Sequence, residues 1–394
     1  MRLLICAGGT GGGVYPALSV LQALQAGDEA KDQVEEAKQK SRFNSEPGSE
    51  PSLSVLWIGG ERGMEVDLLR REGVPFEAIP AAGVHGVGIR ALPGNLKKLA
   101  LGFRFSRQIL SQFRPEVLLF TGGYVGVPMA LAASLPLKGL ARPQRLVYVP
   151  DIEPGLALKL LVRLADRIAV TVEDTQHYLP RRAKVTITGY PVRAGLRKID
   201  RSEACRAFGL DPNLPVFLVV GGSKGARSIN RALQDSLPQL LAEMQVIHLS
   251  GQLDWQAVEQ NRQALSPEQM ERYRAFPYLH DEMGAAYSAA DLALARAGAS
   301  SLGELPIFGL PVILVPYPHA WRYQQVNAEY LVGRGAAVLL NDADLGGGLT
   351  PLVRSLIADP SQRLGMGIAM QKLAHPEAAR SIANILSGMS AKAS

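Results

Sequence analysis

ARAGASSLGELPIFGLPVILVPYPHAWRYQQVNA, residues 295–328, carries the succession of elements that decides the fold. The apolar run from Asp291 to Ala295 predicts a buried strand that ends at Gly298. The small residues Ala299, Ser300 and Ser301 open a short helix, which continues through Leu302 and Gly303 and carries Glu304 one turn in. Residues 311–316, rich in Val, Ile and Leu, predict a second strand, and a loop with Gln324, Gln325 and Asn327 follows. Strand, small-residue turn, helix start and strand make one half of a parallel nucleotide-binding sheet. Free N–H groups at the helix start suit a phosphate. From its place Glu304 can accept hydrogen bonds from two neighbouring hydroxyls, as on a ribose. Taken alone, so short a motif would also fit an ordinary helix start with an ordinary first-turn acid.

The same succession recurs upstream. Residues 216–220 are a strand, Gly221-Gly222-Ser223-Lys224-Gly225-Ala226-Arg227 a Gly-rich turn, and 228–241 a helix; later strands end at Leu249 and at Pro277-Tyr278-Leu279. The first half opens alike, with a strand over 3–7, the run Gly8-Gly9-Thr10-Gly11-Gly12-Gly13-Val14-Tyr15-Pro16, and an apolar helix over 17–24. Such a run lets a backbone approach a ligand closely. It is not the dinucleotide fingerprint, because counted from Gly9 the third glycine would fall on Val14. Nor is it a P-loop, since no Gly-Lys-Ser/Thr closes it. Further strands are read at 55–58, 117–120, 146–149, 166–172 and 184–187, with a helix over 65–72. Residues 28–52 are polar and read as a solvent-exposed insertion, disordered in part.

The chain therefore divides into two α/β halves, 1–192 and 193–372, and a C-terminal helix of about 375–394 is expected to pack back on the first. Ligands of such sheets bind at the carboxyl ends of the strands. Two Rossmann-like halves facing one another would make a cleft for a small molecule.

The chain has 394 residues, 47% hydrophobic and 20% charged, enough for sizeable cores, and 40 Gly and 26 Pro suit many tight turns. A net charge of +6 fits an anionic partner. No zinc spacing and no basic run with interleaved aromatics occurs, so nucleic acid is not expected. Cys6 and Cys205, the two cysteines, lie far apart in apolar contexts, which favours a reducing compartment. No signal peptide and no membrane span is read, so a cytosolic protein, soluble or peripheral, is expected. The stretch that begins at Ile89 and ends at Phe113 mixes Leu96, Leu99, Leu101, Phe103 and Phe105 with Lys97, Lys98, Arg104 and Arg107, and holds no acid. Such a face can lie on an anionic bilayer, or simply cover the sheet as a surface helix. The six histidines form no metal-ligand spacing; Asp342-Ala343-Asp344 reads as a surface turn, and no metal or other cofactor is expected.

Together the motifs GGTGG (8–12), TGGY (121–124), PVR (191–193), GGSKGAR (221–227), RAGAS (296–300) and Gln324 with Asn327-Ala328 resemble, in order, the MurG family. The resemblance implies a GT-B fold and transfer of GlcNAc from UDP-GlcNAc to lipid I, an undecaprenyl-linked acceptor, giving lipid II in peptidoglycan synthesis. It places the enzyme on the cytoplasmic face of the cell membrane. It also implies roles by position: Ser223 and Arg193 at the diphosphate, the Leu279 backbone at the uracil, and residues 299–304 beneath the diphosphate with Glu304 on the ribose. Gln324 would read the sugar hydroxyls, and Thr10, Gly11 and Gly12 would face donor and acceptor.

The chain departs from the family pattern in the first half. Gly13 stands where family members commonly have His, Asp151 where they have an Asn near the sugar, and Tyr190 where they have the Asn of Gly-Asn-Pro. With no proton acceptor at Gly13, Asp151 is the expected general base, and His85, in a Gly-rich loop, the second candidate. Rival readings are transfer to another lipid acceptor, a UDP-GlcNAc 2-epimerase on the same fold, and a donor-binding protein without catalysis.

Overall fold

The computed structural model describes residues 1–8, 11–39, 53–60, 65–82, 92–137, 139, 141–222, 225–318 and 322–392. The chain forms two compact units. One comprises Met1–Arg193 with Glu377–Ser394, and the other Ala194–Pro376.

The first unit holds strands β1 (Arg2–Cys6), β2 (Ser54–Gly59), β3 (Phe76–Ala78), β4 (Val117–Phe120), β5 (Gln144–Val149), β6 (Arg167–Val170) and β7 (Val185–Ile187). All pair in parallel, in the order β3-β2-β1-β4-β5-β6-β7. Its helices are α1 (Gly11–Gln39), α2 (Glu65–Arg71), α3 (Leu92–Phe113), α4 (Gly126–Ser134) and α5 (Leu156–Leu164). The strands are near-continuous apolar runs because helices cover both faces of a parallel sheet. On one face Ile109, Leu110, Met129, Leu158 and Leu161 from α3, α4 and α5 pack on Leu4, Cys6, Leu118 and Val147. On the other, Val14, Leu18 and Leu21 of α1 pack on Leu3, Ile5 and Leu119.

The second unit holds β8 (Val216–Val220), β9 (Gln245–Leu249), β10 (Tyr273–Phe276), β11 (Leu292–Ala295), β12 (Val312–Leu314) and β13 (Ala337–Leu339), paired in parallel as β10-β9-β8-β11-β12-β13. Its helices are α6 (Arg201–Ala207), α7 (Arg227–Leu240), α8 (Trp255–Gln263), α9 (Pro267–Arg272), α10 (Met283–Ala289), α11 (Glu304–Phe308), α12 (Tyr323–Gly333), α13 (Leu345–Ala358) and α14 (Pro360–Gln371). Ile229, Leu233 and Leu237 of α7 and Leu349 and Val353 of α13 pack on Phe217, Val219 and Ile313. Helix α15 (Ala378–Ser390) then returns to the first unit, burying Ile382, Leu386 and Met389 beside α1. Both sheets follow one winding: the order changes direction at the central strand, which puts a topological switch point at the carboxyl ends of β1 and β4 in one unit and of β8 and β11 in the other.

Local structure differs from the sequence reading in three places. Helix α1 starts at Gly11 and runs through Gln39, into the segment read as an insertion, whose remainder lies outside the described residues. Gln324, Gln325 and Asn327 lie on α12 and not in a loop. The helix after Gly298 is broken: a 3-10 turn, Ala299–Leu302, stops at Gly303, and Glu304 is the first residue of the separate helix α11.

Candidate functional site

In the second unit the sequence-predicted residues gather at strand carboxyl ends. Leu279 follows β10, residues 299–304 follow β11, and Gln324 lies beyond β12. Leu279, Ala299, Ser301 and Leu302 are buried. The Ser301 hydroxyl turns inward and donates to the Arg296 carbonyl at 3.0 Å. A 3-10 turn leaves its first amides without an intrahelical partner, so the donors here come from main chain. Glu304 is 9% exposed, and its Oε2 accepts from the Tyr287 hydroxyl at 2.8 Å. Tyr287, on α10, packs its ring on Phe308 with centroids 5.0 Å apart.

Gln324 Oε1 accepts from the Tyr317 backbone N–H at 2.8 Å. With its oxygen so engaged, the side chain has its NH2 donors to offer. Asn327, fully buried one turn on, donates to the Ala297 carbonyl at 3.1 Å and ties α12 to the loop after β11.

A polar network that sequence reading missed holds these loops together. Arg296 pairs with Asp342 at 2.6 Å, donates to the Ser228 hydroxyl at 2.7 Å and to the Val315 carbonyl at 3.1 Å, and stacks over Tyr317 at 5.2 Å. Ser228, at the start of α7, donates to the same Asp342 carboxylate at 2.7 Å. Asp342–Asp344 is a 3-10 turn with no buried residue, a surface turn as read, and its Asp342 also anchors three segments. Beneath α7, His248 Nε2 lies 3.0 Å from Asn230 Oδ1 and Nδ1 lies 2.6 Å from the Tyr273 hydroxyl. Asn230 in turn donates to the Ser250 carbonyl and to Asp254. Complete burial lowers the His248 pKa to about 3, so it is a neutral structural link.

In the first unit the loops after β1 and β4 touch. Trp57 Nε1 donates to the Ala7 carbonyl at 2.8 Å, which fixes the exit of β1. The Thr121 hydroxyl donates to the Gly13 carbonyl at 2.7 Å. A Cβ at Gly13 would stand 3.1 Å from the Thr121 carbonyl oxygen, so a side chain there would need the β4 loop to give way. Gly123 has φ +82, and a Cβ on it would come 2.7 Å from the Gly8 oxygen; only glycine fits. Gly11 and Gly12 form the first turn of α1.

Asp151 is half-buried at the exit of β5. Its loop is held by Thr171, whose hydroxyl donates to the Pro150 carbonyl at 2.8 Å and lies 2.7 Å from the Tyr148 hydroxyl. Burial raises the Tyr148 pKa well above its ordinary value; the Thr171 hydrogen bond opposes this and the Asp151 charge adds to it. Tyr148 therefore stays a neutral phenol, and the carboxylates of this loop are Asp151 and Glu153, the latter paired with Lys159 at 3.0 Å. Arg193, which ends the first segment of the unit, stacks its guanidinium over Tyr15 at 4.9 Å.

Helix α3 shows an exposed face on which Leu101 and Phe105 stand among Lys97, Lys98 and Arg104. Leu131 and Leu135 of the neighbouring α4 segment and Leu156 and Leu160 of α5 are exposed as well. Arg107 is otherwise engaged, donating to the Leu135 and Pro136 carbonyls beyond the end of α4. No helix among the described residues is long and apolar enough to cross a membrane. Thr10, Ser223 and His85, three of the predicted site residues, lie outside the described residues. Among the described residues no group of three or more His, Cys, Asp or Glu could hold a metal ion.

Residues 49–170 match the Glycosyltransferase family 28 N-terminal domain, and residues 216–382 match the Glycosyltransferase family 28 C-terminal domain. A Roseiflexus sp. (strain RS-1) protein named "UDP-N-acetylglucosamine--N-acetylmuramyl-(pentapeptide) pyrophosphoryl-undecaprenol N-acetylglucosamine transferase" is 40% identical, covering 98% of this chain and 94% of that one. A Desulforudis audaxviator (strain MP104C) protein of the same name is 35% identical over 100% of this chain and 99% of its own. Acinetobacter baumannii MurG, a crystal structure, superposes with TM-score 0.70 at 26% identity, covering 98% of this chain and 99% of that one. The chain belongs to the MurG family. Its two parallel-sheet units are those of a GT-B glycosyltransferase. A UDP-GlcNAc 2-epimerase from Neisseria meningitidis superposes with TM-score 0.61 over 98% of this chain and 100% of that one; at 13% identity this likeness shows the shared fold alone.

Proposed function

We propose that this MurG-family protein is an inverting glycosyltransferase that moves GlcNAc from UDP-GlcNAc to the muramyl 4-hydroxyl of the undecaprenyl-pyrophosphoryl-MurNAc-pentapeptide, lipid I. One observation carries the reading: 40% identity to a transferase of that name extends over 98% of the chain, so it includes both units. The second unit binds the donor. Glu304 accepts from the ribose hydroxyls, the Leu279 backbone meets the uracil, and Gln324 donates to the sugar. The amides of Ala299 and Ser300 serve the diphosphate, with Ser223 and with Arg193, a residue of the first unit.

In the reaction the acceptor oxygen attacks C1 of GlcNAc as the bond from C1 to the diphosphate oxygen breaks. UDP departs with that electron pair. Preorganised amide dipoles and a guanidinium stabilise the charge that develops on it. The hydroxyl proton passes to Asp151, the carboxylate at the β5 exit. Thr10, Gly11 and Gly12 serve both donor and acceptor. The exposed face of α3, basic and apolar together, holds the protein peripherally on the cytoplasmic membrane surface, where such an acceptor resides.

The test is incubation of the purified protein with UDP-GlcNAc, with and without a lipid I analogue. UDP release that requires the analogue is the expected result. ManNAc formation would instead make the protein an epimerase. Donor binding with no turnover would leave a binding protein, and turnover with a different lipid alone would change the acceptor.

A further inference from the structure

Glu304 is a carboxylate placed where water is largely excluded, and the hydroxyl of Tyr287 donates to its Oε2 at 2.8 Å. Tyr287 is itself 7% exposed, its ring lies against Phe308, and it reaches Glu304 from a different helix, α10. A terminal carboxylate torsion is broad and roughly two-fold, so a side chain alone does not fix the plane of its two oxygens. A charge-assisted hydrogen bond from a rigid, packed donor does. It engages Oε2 and so fixes the plane in which the carboxylate accepts.

We propose that Tyr287 is a positioning residue for the ribose of the donor: it sets the plane of the Glu304 carboxylate so that both oxygens meet the vicinal hydroxyls together. This rests on the reading of Glu304 as the ribose acceptor. It makes the pair Tyr287–Glu304 the device that separates ribonucleotide donors from deoxyribonucleotide donors. A diol matches a carboxylate with a fixed plane, and a donor lacking the 2′-hydroxyl forfeits one of the two hydrogen bonds it would make to that carboxylate.

The experiment compares UDP-GlcNAc with 2′-deoxy-UDP-GlcNAc as donors for the wild type, Tyr287→Phe and Glu304→Ala, with melting temperatures measured alongside. For Tyr287→Phe the expected result is a rise of about tenfold in KM for UDP-GlcNAc with kcat within about twofold, equivalent to ~1.4 kcal/mol of binding. Its preference for the ribonucleotide donor should shrink by a similar factor, as it should in Glu304→Ala. If Glu304→Ala keeps the wild-type preference, the ribose reading itself is overturned. If Glu304→Ala loses the preference while Tyr287→Phe keeps it, only the positioning role is overturned. A lower melting temperature with an unchanged donor preference would make Tyr287 a packing residue and overturn the proposal equally.

Discussion

Asp151 is the base we propose for a chain in which Gly13, in the first turns of α1, offers no proton acceptor. The Gly13 Cα lies so close to the β4 loop that an added Cβ would press on the Thr121 carbonyl at 3.1 Å. The half-buried carboxylate of Asp151 is instead held on a loop that Thr171 secures. Replacing Asp151 with Asn keeps the volume and removes the base. We expect kcat to fall by about 100-fold or more, the contribution of a positioned general base, with KM for UDP-GlcNAc nearly unchanged. Steady-state kinetics on Asp151→Asn checks this, and near-normal kcat would remove Asp151 as base. At this scale the sequence was legible wherever one residue type has one use. Glu304 stands, buried, after the small-residue turn beyond β11, where the sequence placed it. Tyr287 was not legible, because nothing in MGAAYSA marks one tyrosine as the partner of a carboxylate seventeen positions on.

Among elements, strands were read more readily than the contacts between loops. Val216–Val220 and Leu292–Ala295 stand out as short apolar runs before glycines, since strands buried on both faces need no polar alternation. The Arg296–Asp342–Ser228 network joins residues 46 and 68 positions apart, and no local pattern announces it. The Asp342→Ala change removes the carboxylate that both Arg296 and Ser228 bind and frees Arg296 from the turn before α13, leaving its direct bond to Ser228. We expect a rise of about fivefold in KM for UDP-GlcNAc, equal to ~1 kcal/mol, with a small effect on kcat. Kinetics at saturating acceptor would show this, and an unchanged KM would limit the network to stability.

Helix α3 carries a second expectation at this scale. Lys97, Lys98 and Arg104 share a face with Leu101 and Phe105, whereas Arg107 is spent on the carbonyls beyond α4. Changing Lys97, Lys98 and Arg104 to Gln should weaken binding to vesicles containing phosphatidylglycerol by about 100-fold, near 1 kcal/mol per cation. Arg107→Gln should leave it nearly unchanged. Equal losses in the two variants, measured by co-sedimentation, would contradict a membrane role for this face.

For the whole molecule, the paired sheets wound alike follow from glycine turns repeated at strand ends. The length of α1 was less legible, because polar residues can prolong a helix as readily as fill a loop. Stability should depend on pH through the second unit. His248 is held neutral with a pKa of about 3, against 6.5 when exposed on unfolding. Between these values the unfolded chain binds the extra proton, so the stability is full above pH 6.5 and is lost as pH falls toward 3. The slope from this one group is at most about 1.4 kcal/mol per pH unit. Urea unfolding from pH 7 to about pH 4 should show that loss in the wild type and a shallower one in His248→Gln. Parallel slopes would mean that the imidazole is charged in the native state.

The transfer itself is tested most directly by the product. The donor sugar is α-linked to UDP, and one displacement at C1 inverts it. NMR of the isolated disaccharide-lipid should therefore show GlcNAc joined β to the muramyl 4-oxygen. An α linkage, attachment at another oxygen, or no new glycosidic bond would contradict the account.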